Sequence, residues 1–443
     1  MPLFQRDGIV GNSIRLLVIA AILFITIRSA LPKKDSQLPD YVSKSQKLIG
    51  RSERRDSSQF VLPDAYYYNI SIHPPLRTRG PHIIDSANNI VKLKSVNWYG
   101  ASDIYYIPSG LDKQPRDKIA ALIRDIGFNS VRLPYSDEMV MNNPPINTSL
   151  LAANWDLVKA GGGVVKALEV FTAVVESLTA AGLMVIVNDH ITQAGWCCGA
   201  NPCDGRWHND WFGGRLMCRV SQSQAQWINN WETIMRPFVG NELVIGADLR
   251  NEVRGLWGTT YWDRWAAAAE LASERLLALN PNWLMFVEGV SSANDLTGVR
   301  TRPVRLSYPN RVVYSAHVYC WSGWGSLQPF AYRTYDSFAA TMRANWAYLL
   351  EGNIAPVWVG EFGTSWDPSQ GDWNYWAHLI KYLKHVDAGW GYWAINPRKP
   401  EGNVTETYGL VEDGWTKVRW DFRLEDLREL GLSPRLLYRS PEG

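Results

Sequence analysis

The sequence predicts an α/β fold, a closed (β/α)8 barrel, and three observations carry that prediction. Short apolar runs alternate with longer amphipathic stretches from about residue 90 onward. The apolar runs are near-continuous, which is the pattern of parallel strands covered on both faces. There are eight of them, and eight such units in one domain favour a barrel over an open sheet. The open alternative is disfavoured further because no Gly-rich dinucleotide fingerprint follows the first run.

Strands are expected at 91–99 (VKLKSVNWY), 130–135, 184–189, 243–249, 284–288, 312–319, 356–361 and 391–395. Helical patterns fill the gaps, as at 115–126 and 163–181. The clearest runs from Tyr261 to Leu279, with an Ala-rich face and Pro281 just past its end. Ahead of the first strand, the run Ala65-Tyr66-Tyr67-Tyr68 and the segment 80–93 are expected to form a hairpin closing the bottom of the barrel. The predicted barrel domain spans residues 61–443.

The N-terminal residues belong to a different class. Leu16 to Ile27 is almost wholly apolar, with Arg6 and Arg15 before it and Arg28, Lys33 and Lys34 after it. It is shorter than the roughly 20 residues that span a bilayer and fits the apolar core of a signal peptide. Ser29-Ala30 offers small residues for cleavage, but Arg28 stands where another is wanted. Residues 1–30 therefore read as a signal peptide or as a signal anchor retained in the membrane. Residues 31–60 are rich in Lys, Arg, Ser, Gln and Asp, cannot bury enough surface to order themselves, and read as a flexible stem. The expected location is extracellular, or membrane-anchored within the secretory pathway.

Sequons at Asn69, Asn147 and Asn403 agree with that route. So do the cysteines. Cys197, Cys198 and Cys203 cluster, while Cys218 and Cys320 stand apart. In an oxidising compartment this suggests up to two disulfides and one remaining thiol, with the pairing open. A zinc site is disfavoured, because CCGANPC at 197–203 lacks the paired two-residue spacing of common zinc modules.

Composition narrows the partners. A formal charge of +2 on 443 residues gives no footprint for nucleic acid. The outlier is tryptophan, 22 residues, whose broad face and single N–H suit stacking on a sugar ring. Any single Trp is more simply a core residue, but the excess as a group asks for more.

In such barrels chemistry sits at the carboxyl ends of the strands. The eight ends supply Asn97 and Trp98, then Arg132, His190, Asn251-Glu252, Glu288, His317 with Tyr319, Glu361 and Trp393. Nearly every strand delivers a polar or aromatic group to one rim. Strands four and seven face each other across the mouth, so Glu252 and Glu361 should meet. Two facing carboxyls are what glycoside hydrolysis requires, with a gap of about 5–5.5 Å in a retaining enzyme. Glu252 would be the acid/base and Glu361 the nucleophile. Arg132 would keep the nucleophile ionised, and Tyr319 would donate to it. Asn251, His190 and His317 would hydrogen-bond the sugar, with Trp393 as platform. Glu288 reads as a rim ion-pair member or a substrate contact. Asp189 and Asp248 should brace backbone or arginine side chains.

These segments resemble glycoside hydrolase family 5, the cellulase-like family of clan A. LRNEV at 249–253 is similar to its Asn-Glu signature and VWVGEFGT at 357–364 to its nucleophile strand. VRLPYS (131–136), VNDH (187–190), HVY (317–319), GYWAIN (391–396) and ETYGLVEDGW (406–415) match further motifs in the family's order. The resemblance spans roughly residues 85–430. It implies a TIM barrel, a retaining mechanism with Glu252 as acid/base and Glu361 as nucleophile, and no metal or organic cofactor. The expected partner is a poly- or oligosaccharide, and the expected state a monomer. A departure is the cysteine- and Trp-rich stretch 194–218, which should overhang the cleft. Members of the family act on β-1,4-glucan, mannan, β-1,3-glucan and aryl or lipid glycosides. Two rival readings are a catalytically silent carbohydrate-binding barrel and a hydrolase using a metal held by His190, His317 and a carboxylate.

Overall fold

The computed structural model describes residues 72–198, 201–255, 261–322 and 329–435. The apolar run at 16–27, the stem, the Tyr66–Tyr68 run and the Asn69 sequon lie outside the described residues. An antiparallel hairpin, β1 (Arg77–Arg79) and β2 (His82–Ile84), opens the described chain. Eight parallel strands follow. They are β3 (Lys94–Asn97), β4 (Ser130–Ser136), β5 (Met184–Ile191), β6 (Val244–Asp248), β7 (Leu284–Glu288), β8 (Val312–His317), β9 (Val357–Phe362) and β10 (Gly389–Tyr392). They close in the order β10-β3-β4-β5-β6-β7-β8-β9, so the barrel is complete. Each overlaps an expected strand.

Helices cover the barrel where the periodicity placed them. The longer ones are α1 (Arg116–Ile126), α2 (Ala167–Ala180), α3 (Gln224–Met235), α4 (Trp262–Leu279), α5 (Tyr335–Met342), α6 (Gln370–Val386) and α7 (Phe422–Glu429). Local chemistry explains their ends. Gly127 adopts φ 109° just past α1, a left-handed position glycine tolerates, and its N–H donates to the Arg124 carbonyl. Ser369 and Asp372 form a reciprocal capping box at the start of α6. One crossover departs from the strict strand–helix rhythm. Between β7 and β8 the chain makes only short turns, at Val290–Ala293 and Thr297–Arg300.

The barrel interior is apolar below and polar above. Successive inward residues of a strand lie two apart, so one phase of each strand shows the change. In β5, Met184 and Ile186 give way to Asn188 and His190. In β7, Leu284 and Phe286 give way to Glu288. In β8, Val313 gives way to Ser315 and His317. The lower layer forms one buried cluster with Trp358, and Leu76 and Ile83 of the hairpin join it. Arg311 and the Thr78 N–H tie the hairpin on, by bonds to the Leu76 carbonyl (2.6 Å) and the Asn310 carbonyl (2.9 Å). A hairpin closes the bottom, but its strands are 77–79 and 82–84, and the Ala65–Tyr68 half of the expected one lies outside the described residues.

The tryptophan excess has a blander explanation than sugar binding. Trp98, Trp227, Trp231, Trp265, Trp283, Trp346, Trp358, Trp376 and Trp390 are all fully buried. Trp358 fills the barrel interior, and the others pack around the barrel. Cys203 and Cys218 form a disulfide, the Cys197 and Cys198 sulfurs lie within bonding reach of each other, and Cys320 is free. Trp358 packs on Phe286, with ring centroids 5.3 Å apart, in the lower layer far from the rim. Trp358→Ala is expected to cost roughly 3–5 kcal/mol and lower Tm by several degrees in scanning calorimetry.

Candidate active site

The polar upper layer is organised by one guanidinium. Arg132, on β4, is fully buried and has five N–H groups, and each meets an acceptor. Its Nε donates to Asp248 (2.7 Å). One terminal nitrogen donates to Asn97 (3.0 Å) and to Glu361. The other donates to Asn251 (2.8 Å) and Glu288 (3.0 Å). These partners stand on or just past β3, β6, β7 and β9, so one side chain ties half the barrel rim together.

Glu361 and Glu252 face each other. Glu361, 5% exposed, takes Arg132 on Oε1 and the Tyr319 hydroxyl on Oε2 (3.0 Å). His317 stands between the two, with Nδ1 3.2 Å from Glu252 Oε1 and 3.9 Å from Glu361 Oε2. One atom each from Glu252, His317 and Glu361 fall within 4.8 Å of one another. Of the described residues, this is the group that could approach a single ion, and His190 is not part of it.

The surroundings of the two carboxyls differ. Burial raises Glu252 from 4.5 to about 7, against the lowering pull of Arg254 and Arg132. It can therefore carry a proton near neutrality. Glu361 instead faces a positive charge and a hydroxyl donor directly. Burial drives His317 down to about 4, and it drives His190 well below its ordinary value, with Arg132 and His317 adding to the effect. Both rings are thus neutral near pH 7.

Glu252 sits on a backbone that has to be held. Its φ is 47°, the left-handed region, which costs a residue with a side chain roughly 1–2 kcal/mol. Four backbone bonds pin the segment. The Asn251 N–H donates to the Asp189 carbonyl (2.8 Å), the Arg254 N–H to the Gly205 carbonyl (2.7 Å) and the Ser292 N–H to the Val253 carbonyl (3.2 Å). The Glu252 N–H itself donates to Glu288 Oε2 (2.6 Å).

An open cavity at the rim is lined by Tyr99, Ser102, Asp103, His190, Gly195, Trp196, Cys197 and Trp393. The Trp393 ring lies nearly parallel to His190 (5.4 Å) and Tyr99 (5.1 Å), and Trp196 meets Tyr99 edge-on. The 194–218 stretch reaches the cavity through Gly195, Trp196 and Cys197, as an overhanging loop should.

All eight residues expected at the site come to this rim, with refinements. Arg132 has no exposed surface, so it acts on carboxylates and not on sugar. His317 is fully buried between the two glutamates, and His190 lines the cavity. Asn251 gives its Oδ1 to Arg132, and its Nδ2 faces the sulfurs of Cys197 (3.4 Å) and Cys198 (3.2 Å). Of the first strand end, Asn97 enters the network, whereas Trp98 points outward and donates to the Ser109 carbonyl. Asp248 braces Arg132 and Asp189 braces Arg250, as carboxylates in those places should.

Sequence reading missed Arg250, Tyr99, Asp103 and Trp196. Arg250 is fully buried and bonds Asp137 (3.1 Å), Asp189 (3.0 Å), Thr192 (2.9 Å) and the Asp204 carbonyl (2.9 Å), joining the β5 and β6 tips to the stapled loop. The signal was present, because two carboxylates expected to brace arginines need more than one arginine.

A closed parallel barrel carrying two carboxyls this close at its carboxyl rim is the architecture of a retaining glycoside hydrolase. The chain belongs to glycosyl hydrolase family 5, the cellulase family, whose model matches residues 87–399. It is 30% identical to an endoglucanase of Paenibacillus polymyxa, over 79% of this chain and 85% of that one. It is 27% identical to the major extracellular endoglucanase of Xanthomonas campestris, over 76% and 68%. Among solved structures, the catalytic domain of that Xanthomonas enzyme aligns with TM-score 0.65 at 22% identity, covering 80% of this chain and 99% of that one. A Pyrococcus horikoshii endocellulase in complex with cellotetraose aligns with TM-score 0.64 at 23% identity, covering 82% and 100%.

The raised Glu252 carboxyl has a consequence for stability. The folded state holds this proton more tightly than the unfolded chain, whose value is near 4.5. The favourable contribution is present below that pH and is lost as pH rises through about 7. Glu252→Gln, with no proton to lose, is expected to gain a few degrees of Tm relative to the parent between pH 4 and pH 8.5. Parallel Tm–pH curves check this.

Proposed function

We propose that the protein cleaves β-1,4-glucan by double displacement, with Glu361 as nucleophile and Glu252 as acid/base. The observation that carries this reading is the separation of the two carboxyls, within 4.8 Å at their facing atoms. An inverting enzyme separates its carboxyls by about 6.5–9.5 Å to place a water beside the sugar, and these two stand closer at their facing atoms. Glu361 attacks the anomeric carbon while Glu252 gives its proton to the leaving oxygen. Glu252, now ionised, then takes a proton from the water that releases the glycosyl group. Arg132 and Tyr319 hold Glu361 in place and oppose its charge. His317, with the ring proton on Nδ1, donates to Glu252 once it is ionised. His190 is the polar group that faces the sugar, with the Trp393 ring beside it, while Asn251 acts through Arg132. The glucan is supported by the endoglucanase names of the relatives and the cellotetraose held by the Pyrococcus enzyme.

The finer reading is a secreted glycoprotein acting as a monomer. The Asn147 and Asn403 sequons are exposed, and the Xanthomonas relative is an extracellular enzyme. No described helix is long and apolar enough to cross a membrane.

Glu361→Ala and Glu252→Gln should each lower kcat on cellotetraose by about 10³-fold or more while Tm stays within a few degrees of the parent or above it. Undiminished turnover in either variant would remove that residue from its role. In the parent, kcat/KM should fall about tenfold per pH unit above about pH 7, as Glu252 loses the proton it must donate. A panel of β-1,4-glucan, mannan and xylan, with NMR of the first-formed anomer, tests the rest. The β-anomer from glucan is expected, and an α-anomer or a clear preference for mannan would contradict the proposal.

A further inference from the structure

We infer that Glu288 is a positioning residue for the acid/base, a carboxyl that sets the backbone of Glu252 with one oxygen and its supporting ring and arginine with the other. The inference rests on the assignment of Glu252 as acid/base. Glu288 ends β7 and is fully buried, so it cannot serve as a contact for substrate in the cavity. Its Oε2 accepts the Glu252 N–H at 2.6 Å, at the residue whose φ of 47° most needs an anchor. Its Oε1 accepts from Arg132 at 3.0 Å and lies 3.5 Å from His317 Nε2. His317 Nε2 has no hydrogen-bond partner among the described residues, while Nδ1 faces Glu252 Oε1 at 3.2 Å. One carboxyl therefore touches the main chain of Glu252, the ring that touches its side chain, and the guanidinium that holds Glu361.

The protonation pattern fits this geometry. Burial, with Asp248 next, pushes Glu288 well above the carboxylate range. A hydroxyl at Oε1 can point toward the unpaired Nε2 of His317 while its lone pair still accepts from Arg132. That leaves the ring proton on Nδ1, aimed at Glu252. Two of the three contacts serve Glu252, so the loss of Glu288 should be felt where proton donation is needed. Misplacing a catalytic group by about 1 Å can cost on the order of 100-fold.

Leaving-group chemistry separates this role from a merely structural one. A cello-oligosaccharide leaves as a poor alkoxide and needs the acid, whereas dinitrophenolate leaves without a proton. kcat/KM reports the glycosylation step for both. For Glu288→Ala we expect a loss of about 100-fold on cellotetraose and less than about 5-fold on 2,4-dinitrophenyl β-cellobioside. Glu288→Gln fills the same space but offers one acceptor oxygen where two are used, so it should shift the ratio of the two losses in the same direction by about tenfold or more. It decides the matter if the Ala variant does not fold. Equal losses on both substrates in a folded variant, or no loss on either, would overturn the inference. Glu252→Ala run in parallel tests the underlying assignment. If that variant lacks the same selectivity, it is the acid/base reading that fails, and Glu288 has nothing to position.

Discussion

The rim of this barrel depends on how one buried positive charge is shared among four carboxyls. Arg132 bonds Asp248, Glu288 and Glu361 directly, and its field reaches Glu252. Buried carboxylates in such number cannot all be ionised around a single guanidinium, because each uncompensated charge carries a large desolvation penalty. The structure resolves this by retaining protons. Glu288 is held well above the carboxylate range and Glu252 at about 7, both chiefly by burial. Glu361 occupies the place with a direct Arg132 contact and a tyrosine hydroxyl. The two facing glutamates thus differ in position relative to one side chain, since Glu361 touches Arg132 and Glu252 feels its field.

That arrangement explains otherwise separate features. All five Arg132 donors are used, so the guanidinium cannot rotate without breaking several bonds. Lysine, with one charged atom and three donors, could not replace it. Glu252 has a left-handed backbone that glycine would adopt more easily, yet the chemistry demands a side chain there. The bonds from Asn251, Glu252, Ser292 and Arg254 offset that strain. Arg250 performs a similar service two residues earlier, tying Asp137 and Asp189 to the loop that brings Trp196 over the cavity. At Glu252 a local conflict between backbone preference and side-chain need falls at this rim, as expected of a functional site.

The barrel was legible in the sequence because eight buried parallel strands leave eight near-continuous apolar runs. The strand-end residues were legible because inward positions change from apolar to polar at one level of the barrel. Arg132, His317 and Glu361 follow from that change, while Glu252 and Tyr319 stand just past their strand ends. The short β7–β8 crossover was not, since a missing helix leaves no periodic signal. Nor was the duty of Arg250 or Glu288, because neither points into the cavity and their partners lie far away in sequence. The tryptophan count misled for a physical reason. Trp serves a wide barrel–helix interface as well as it serves a sugar, and composition does not tell the two apart. The Cys203–Cys218 bond was one of several pairings that spacing allowed.

Trapping the glycosyl-enzyme intermediate tests the division of roles most directly. A 2-deoxy-2-fluoro-β-cellobioside with a dinitrophenyl leaving group should form a stable ester, and peptide mass mapping should find a single label on Glu361. The same reagent should label Arg132→Met far more slowly, since the nucleophile has lost its opposing charge. A label on Glu252, Glu288 or Asp248, or labelling of Arg132→Met at the parental rate, would contradict the account.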